Sequence, residues 1–193
     1  MYSQNDEERH ILEWFEGKPA GRFLDIGAFD GVTFSNVRAL YERGWAGTLV
    51  EPNPQAFSKL LERYDTSRVH LVNAAIALRA GLQVFHCSPD AVSTLSEDHR
   101  ALWASQARYV PIRVPGCLVA ELLAACPGPY AFLNLDVEGM NWQILQQIPL
   151  DALACELACV EYGADRLPVE GWFKRQGWTL RAQNGENQIW SRT

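Results

Sequence analysis

The sequence predicts an α/β protein with a Rossmann-like, mostly parallel sheet, helices on both faces and a C-terminal antiparallel hairpin. Three observations carry that prediction. Residues 22–31, R-F-L-D-I-G-A-F-D-G, run from an apolar strand-forming segment into a glycine turn, and a helical pattern follows. Glu51 ends a second apolar run about 20 residues farther on, where doubly wound folds place an acid. Near the C-terminus, residues 178–183 and 188–191 flank Asn184, Gly185, Glu186 and Asn187, which read as a hairpin turn.

The elements follow in order. Residues 6–16 set Ile11, Leu12 and Phe15 on one helical face, and Gly17, Pro19 and Gly21 end that helix. Phe23, Leu24 and Ile26 make the first strand, and a helix is expected over 33–43 after the glycines. Thr48, Leu49 and Val50 make a second strand, stopped by E-P-N-P at 51–54. Pro54 suits the first turn of a helix that runs to about Tyr64. Residues 69–77 read as one third strand, and 82–87 as an extra one.

Residues 86–116 exceed a minimal nucleotide-binding unit and read as an inserted lid or acceptor-binding segment. A capped helix over 98–106 is followed by an alternating run, 109–114, which Pro111 and Pro115 mark as an edge strand. His99, Trp103, Arg108 and Tyr109 either line an acceptor pocket or pack the lid on the core. A helix over 117–125, a strand over 131–135, a helix over 140–148 and a strand over 158–162 come next. A helix over 165–176, interrupted near Pro168 and Gly171, precedes the hairpin.

The composition fits one domain spanning 1–193, with residues 1–21 as an N-terminal helical segment. The chain has 193 residues, 48% hydrophobic and 21% charged, enough for one core. A net charge of -6 without a basic run argues against nucleic acid as partner. No apolar run approaches the roughly 20 residues that cross a bilayer, and the polar N-terminus is not a signal peptide, so no membrane partner and a cytoplasmic location are expected. Cys87, Cys117, Cys126, Cys155 and Cys159 are scattered and read as reduced thiols rather than a zinc set. A homo-oligomer is compatible with this composition.

The glycine turn is a ligand cradle, since bare backbone admits a close approach. A dinucleotide would need a glycine where Asp25 stands, and that carboxylate would repel a pyrophosphate. Asp25 and Asp30 instead favour a cationic ligand, with Gly27 and Gly31 admitting it, which describes S-adenosylmethionine better than NAD. Glu51 can accept from both ribose hydroxyls of either cofactor. Asn73, followed by Ala74 and Ala75, sets an amide beside small side chains with room for a flat base. Asp136 and Glu138, in the turn before Gly139, can act as base, metal ligands or ammonium anchor, or simply cap a helix.

A terminal antiparallel hairpin on a βα-repeat sheet is how class I methyltransferases complete their seven strands. The chain further resembles the FkbM-type family of S-adenosylmethionine-dependent methyltransferases. The resemblance rests on D-I-G-A-F-D-G-V-T-F-S-N at 25–36, E-R-G-W-A-G-T-L-V-E-P-N-P at 42–54, and residues 73–77, 93–96 and 134–139. It implies methyl transfer to a hydroxyl of a sugar, polyketide or other small-molecule or glycan acceptor. Asp25, Gly27 and Gly31 match its first cofactor motif, Glu51 and Asn53 its second, Asn73 and Ala74 its adenine end, and Asp136 and Glu138 its late acidic motif. Asn134 stands where the family often has serine and is left out of the expected site. Asp136 or Glu138 is expected to act as base, directly or through a divalent metal, with no residue assigned as a dedicated metal ligand. A non-catalytic binder of S-adenosylmethionine or S-adenosylhomocysteine and an NAD(P)-dependent oxidoreductase are the rival readings.

Overall fold

The computed structural model describes residues 1–192. Helix α1 (Glu7–Trp14) leads into strand β1 (Arg22–Ile26), then α2 (Arg38–Glu42), β2 (Ala46–Val50), α3 (Pro54–Arg63) and β3 (Val69–Val72). A short β4 (Ala75–Ile76), β5 (Gly81–Cys87), α4 (Glu97–Trp103) and β6 (Val110–Cys117) form an inserted layer. Helix α5 (Val119–Ala125), β7 (Phe132–Leu135), α6 (Asn141–Leu145), β8 (Leu157–Glu161) and α7 (Arg166–Arg175) return to the main unit. Strands β9 (Trp178–Gln183) and β10 (Asn187–Arg192) close it.

The main sheet has seven strands in the order β3-β2-β1-β7-β8-β10-β9. The first five are parallel, and β10 runs antiparallel between β8 and β9. The expected sheet and terminal hairpin are therefore present. Both faces are buried. Leu24, Ile26, Leu133 and Leu135 face α5, α6 and α7, whereas Phe23, Leu49, Phe132 and Cys159 face α1, α2 and α3. Alternation along β1 thus places Asp25 on the second face, inside the core. The strand order reverses between β1 and β7, so a crevice opens at their C-terminal ends.

Several expected elements differ. The helix expected over 33–43 begins only at Arg38: Asp30 Oδ1 accepts from the Val32 and Thr33 amides, and Ser35 Oγ accepts from the Arg38 amide. These side chains satisfy the backbone in a turn instead. The single strand expected over 69–77 splits at Asn73: β3 belongs to the main sheet, and β4 pairs with β6 in a second, three-stranded sheet ordered β4-β6-β5. The run expected as an edge strand, β6, is central in that sheet, yet β4 meets it only at Gly116 and Cys117. Pro111 and Pro115 therefore lie where one side of β6 is free. Cys117 ends β6 rather than starting a helix, and α6 stops at Leu145. Helix α7 is continuous, because Pro168 falls in its first turn, where no intrahelical N–H bond is needed. All five cysteines are unpaired. Among the described residues no helix is long and apolar enough to cross a membrane.

Candidate functional site

The crevice is a cleft of about 900 Å³ counting its open mouth. Its walls come from the ends of β1, β2 and β7, the segment around β4, and the inserted layer. Six residues singled out from the sequence line it: Asp25, Gly27, Glu51, Ala74, Asp136 and Glu138.

Gly27 sits at φ +97, and a Cβ there would stand 1.6 Å from the Asp136 carbonyl oxygen. Its missing side chain lets the turn after β1 press against the end of β7, which brings Asp25 and Asp136 to one cleft. The Asp25 carboxyl accepts from Asn134 Nδ2 at 2.8 Å. Asn134 Oδ1 in turn accepts from Asn36 Nδ2 at 2.9 Å, and Asn36 Oδ1 from the Ser3 hydroxyl at 2.7 Å. Burial pushes Asp25 up to about 7, with the Asn134 amide working against the rise.

Glu51 is fixed by two backbone donors: Phe29 N–H meets Oε2 at 2.8 Å and Asn53 N–H meets Oε1 at 2.7 Å. Burial nonetheless pushes it up to about 7. Each of its oxygens keeps a lone pair for a hydroxyl donor. Ala74, Ala75, Ile76 and Phe85 give an apolar wall nearby. A ligand with a sugar, a flat apolar end and a positive charge suits this donor set.

Four expected site residues do not line the cleft. Asp30 is occupied by the amides of its own turn and by Arg63, 3.0 Å away. Burial alone would raise its pKa, but those amides and the guanidinium outweigh it and hold the carboxyl below the usual range. Gly31, at φ +73, packs on α3, where a Cβ would stand 2.5 Å from the Tyr64 ring. Asn53 caps α3 through Gln55 N–H at 3.0 Å and donates to the Ser88 carbonyl at 2.9 Å, anchoring the inserted segment. Asn73 donates to the Glu51 carbonyl at 2.8 Å. These four residues shape the cleft from behind.

Asp136 and Glu138 on the far wall, and Glu161 beside them, each bring a carboxylate oxygen within 4.8 Å of the others. Three charges so close resist joint ionisation, and a shared proton or a bound cation relieves them. Asp136 Oδ1 is buried without a hydrogen-bond partner among the described residues. Burial, then Glu161, pushes Asp136 well above the carboxylate range. Glu161 is pushed up to about 7 by burial and by Glu138, although Asn141 Nδ2 donates to it. Glu138 is likewise raised by burial to about 7, offset in part by His99. His99 Nε2 lies 2.9 Å from Glu138 Oε2, a close polar contact off the line of a hydrogen bond.

The sequence reading left Asn134, Glu161 and Phe34 outside the site. Asn134 faces the cleft two residues before Asp136, and strand alternation signalled it. Glu161 ends β8 as Glu51 ends β2, so the same strand-end rule applied. Phe34 lines the mouth half-exposed at φ +59, where the sequence reads as ordinary helix.

A family model described as the methyltransferase FkbM domain matches residues 25–168. No curated protein matches the chain in sequence. Among solved structures, the methyltransferase FkbM from Methylobacillus flagellatus KT aligns with a TM-score of 0.58 at 12% identity, over 89% of this chain and 43% of that one. This chain thus spans less than half the length of that protein. Precorrin-6y C5,15-methyltransferase from Geobacter metallireducens GS-15 aligns with a TM-score of 0.54 at 11% identity, over 96% of this chain and 87% of that one. The human methyltransferase 10 domain containing protein aligns at 0.50 and 11% identity, over 97% and 81%. At such identities these structures speak to the fold, a class I methyltransferase α/β sheet. The matched residues run from Asp25 past Glu51 to the Asp136–Glu138 turn and Glu161, and on that match the chain belongs to the FkbM family of S-adenosylmethionine-dependent methyltransferases.

Proposed function

We propose that this chain moves the methyl group of S-adenosylmethionine to a hydroxyl oxygen of a small-molecule or glycan acceptor, with Glu138 as general base. The observation that carries this reading is the Glu138 carboxyl itself, on the cleft wall and 17% exposed, pushed to about 7 by burial and held by His99. A base poised near ambient pH takes a proton most effectively. Asp136 is the less available base, because burial and then Glu161 push its carboxyl well above the usual carboxylate range. A proton shared between Asp136 and Glu161 would satisfy the orphaned Oδ1.

The residues fit the cofactor. Glu51 would hold the ribose hydroxyls, and Ala74, Ala75, Ile76 and Phe85 would flank the adenine. Asp25, on the cleft floor, would face the positively charged portion, and a cation there would draw its pKa back down. Bound S-adenosylmethionine supplies an electrophilic methyl on a positive sulfur. Glu138 would take the proton of the acceptor hydroxyl as that oxygen accepts the methyl, the C–S electron pair remaining with the departing thioether. Charge would balance, since the positive charge lost at sulfur would offset the negative charge lost at Glu138. Rate comes from holding the hydroxyl in line with the methyl, at about 3–3.5 Å.

The test is incubation of the purified chain with methyl-labelled S-adenosylmethionine and cell extract, followed by chemical analysis of the labelled product. A base-stable methyl ether is expected. Binding of the cofactor with no transfer to any fraction would favour a non-catalytic binder, and label only on nitrogen or carbon would overturn the hydroxyl assignment.

A further inference from the structure

The inserted segment is pinned to the Glu138–Gly139 turn at three points. Thr94 Oγ1 donates to the Glu138 carbonyl at 2.6 Å. His99 Nε2 reaches Glu138 Oε2 at 2.9 Å, with the histidine side chain 11% exposed. Gly139, at φ +93, lies so close to α4 that a Cβ would stand 2.7 Å from His99 Cβ. His99 is itself oriented: Ser96 Oγ caps α4 at the His99 amide, and the imidazole stacks on Trp103 with centroids 6.3 Å apart.

Glu138 needs such a partner. Its backbone sits at φ +55, a region that side-chain-bearing residues seldom occupy unless their surroundings hold them there. The titratable groups facing its carboxylate are Asp136 at the end of β7, Glu161 at the end of β8, Glu186 in the hairpin turn, Tyr109 ahead of β6, and His99. Three of these are acids and one is a phenol, so left alone the carboxylate would turn toward solvent. Of these groups, His99 is the one whose contact favours the ionised form of Glu138.

We propose that His99 is a positioning residue for methyl transfer, holding the Glu138 carboxylate on the cleft wall so that the base is in place only while the inserted segment is seated on the Glu138–Gly139 turn. The proposal rests on the reading of Glu138 as the base. It makes the insert part of the catalytic apparatus and ties the insert's position to the chemistry.

The test compares wild type with His99→Gln and His99→Ala in three measurements. Cofactor affinity by calorimetry should stay within about twofold, since His99 is absent from the Glu51 end of the cleft. The rate of label transfer from saturating S-adenosylmethionine to cell extract should fall about 10- to 100-fold, the scale of a misplaced catalytic group. The Glu138 midpoint, followed by carboxyl carbon NMR on glutamate-labelled protein, should rise by about one pH unit, because the imidazole that favours the ionised form is gone. A histidine that only packs the insert would lower thermal stability and leave the midpoint in place, and that result overturns the proposal. A transfer rate within twofold of wild type in a folded His99→Gln variant overturns it equally. A wild type that binds cofactor and transfers no label, with the midpoint still shifted by the substitution, would instead sink the reading of Glu138 as base while leaving the contact established.

Discussion

Replacing Gly27 by alanine should part β1 from β7 at the floor of the cleft. The added Cβ would stand 1.6 Å from the Asp136 carbonyl oxygen where ordinary contact begins at 3.4 Å, so the strand ends must separate by about 1.8 Å or the turn must refold. An L-residue at positive φ costs roughly 1–2 kcal/mol. Losing the Asp136 N–H bond to the Ile26 carbonyl, 2.9 Å long, leaves buried polar groups unmatched at about 1–3 kcal/mol more. The total, about 2–5 kcal/mol, corresponds to a fall in Tm of about 4–20 °C for a domain of this size. Gly44 is the matched control: it sits at φ +89 with nothing within 4 Å of an added Cβ. Gly44→Ala therefore carries the conformational cost alone, roughly 1–2 kcal/mol. Urea and thermal unfolding of the three proteins side by side give the comparison. A Gly27→Ala protein as stable as Gly44→Ala would refute the claim that Gly27 exists to admit the β7 carbonyl.

Three further outcomes are expected. Burial lifts Asp25, Glu51, Glu138 and Glu161 to about 7 each. The folded chain then holds more protons than the unfolded one between about pH 4 and 7, so stability falls as pH rises through that window. The urea midpoint of the ligand-free protein should be lower at pH 8 than at pH 5.5, and a higher one would show that depressed acids such as Asp30 dominate. Glu51→Gln should weaken S-adenosylmethionine binding about tenfold or more by calorimetry, and an unchanged affinity would remove Glu51 from the ribose contact. Treatment with EDTA should leave the transfer rate intact, because His99 and Asn141 already engage Glu138 and Glu161; loss of activity restored by added magnesium would assign a cation to the carboxylate cluster.

Strand ends were the legible part of the site. Apolar runs ending in Asp25, Glu51 and Asp136 locate the C-terminal edge of a parallel sheet, which is where the cleft lies. Turn chemistry was harder to read, because Asp30 looks the same in sequence whether it faces a ligand or caps its own turn. The structure shows the cap, with Arg63 closing the far side. Gly27 and Gly31 look alike too, yet one meets the Asp136 carbonyl and the other the Tyr64 ring. The break at Asn73 was hidden for a related reason: V-H-L-V-N-A-A-I-A is uniformly strand-like, and only the sheet geometry shows the chain leaving β2 and crossing to β6. His99 was visible as a lid residue but not as the partner of Glu138, since no local period links residues that meet through tertiary packing.

Transfer of labelled methyl by wild type and by Glu138→Gln, with cofactor affinity measured on both, is the most direct test of methyl transfer driven by a carboxylate base in this cleft. Wild type should place label on an acceptor oxygen, and Glu138→Gln should bind S-adenosylmethionine comparably while transferring at least about 100-fold more slowly, the scale of a lost general base. Equal transfer rates in the two proteins would contradict that claim.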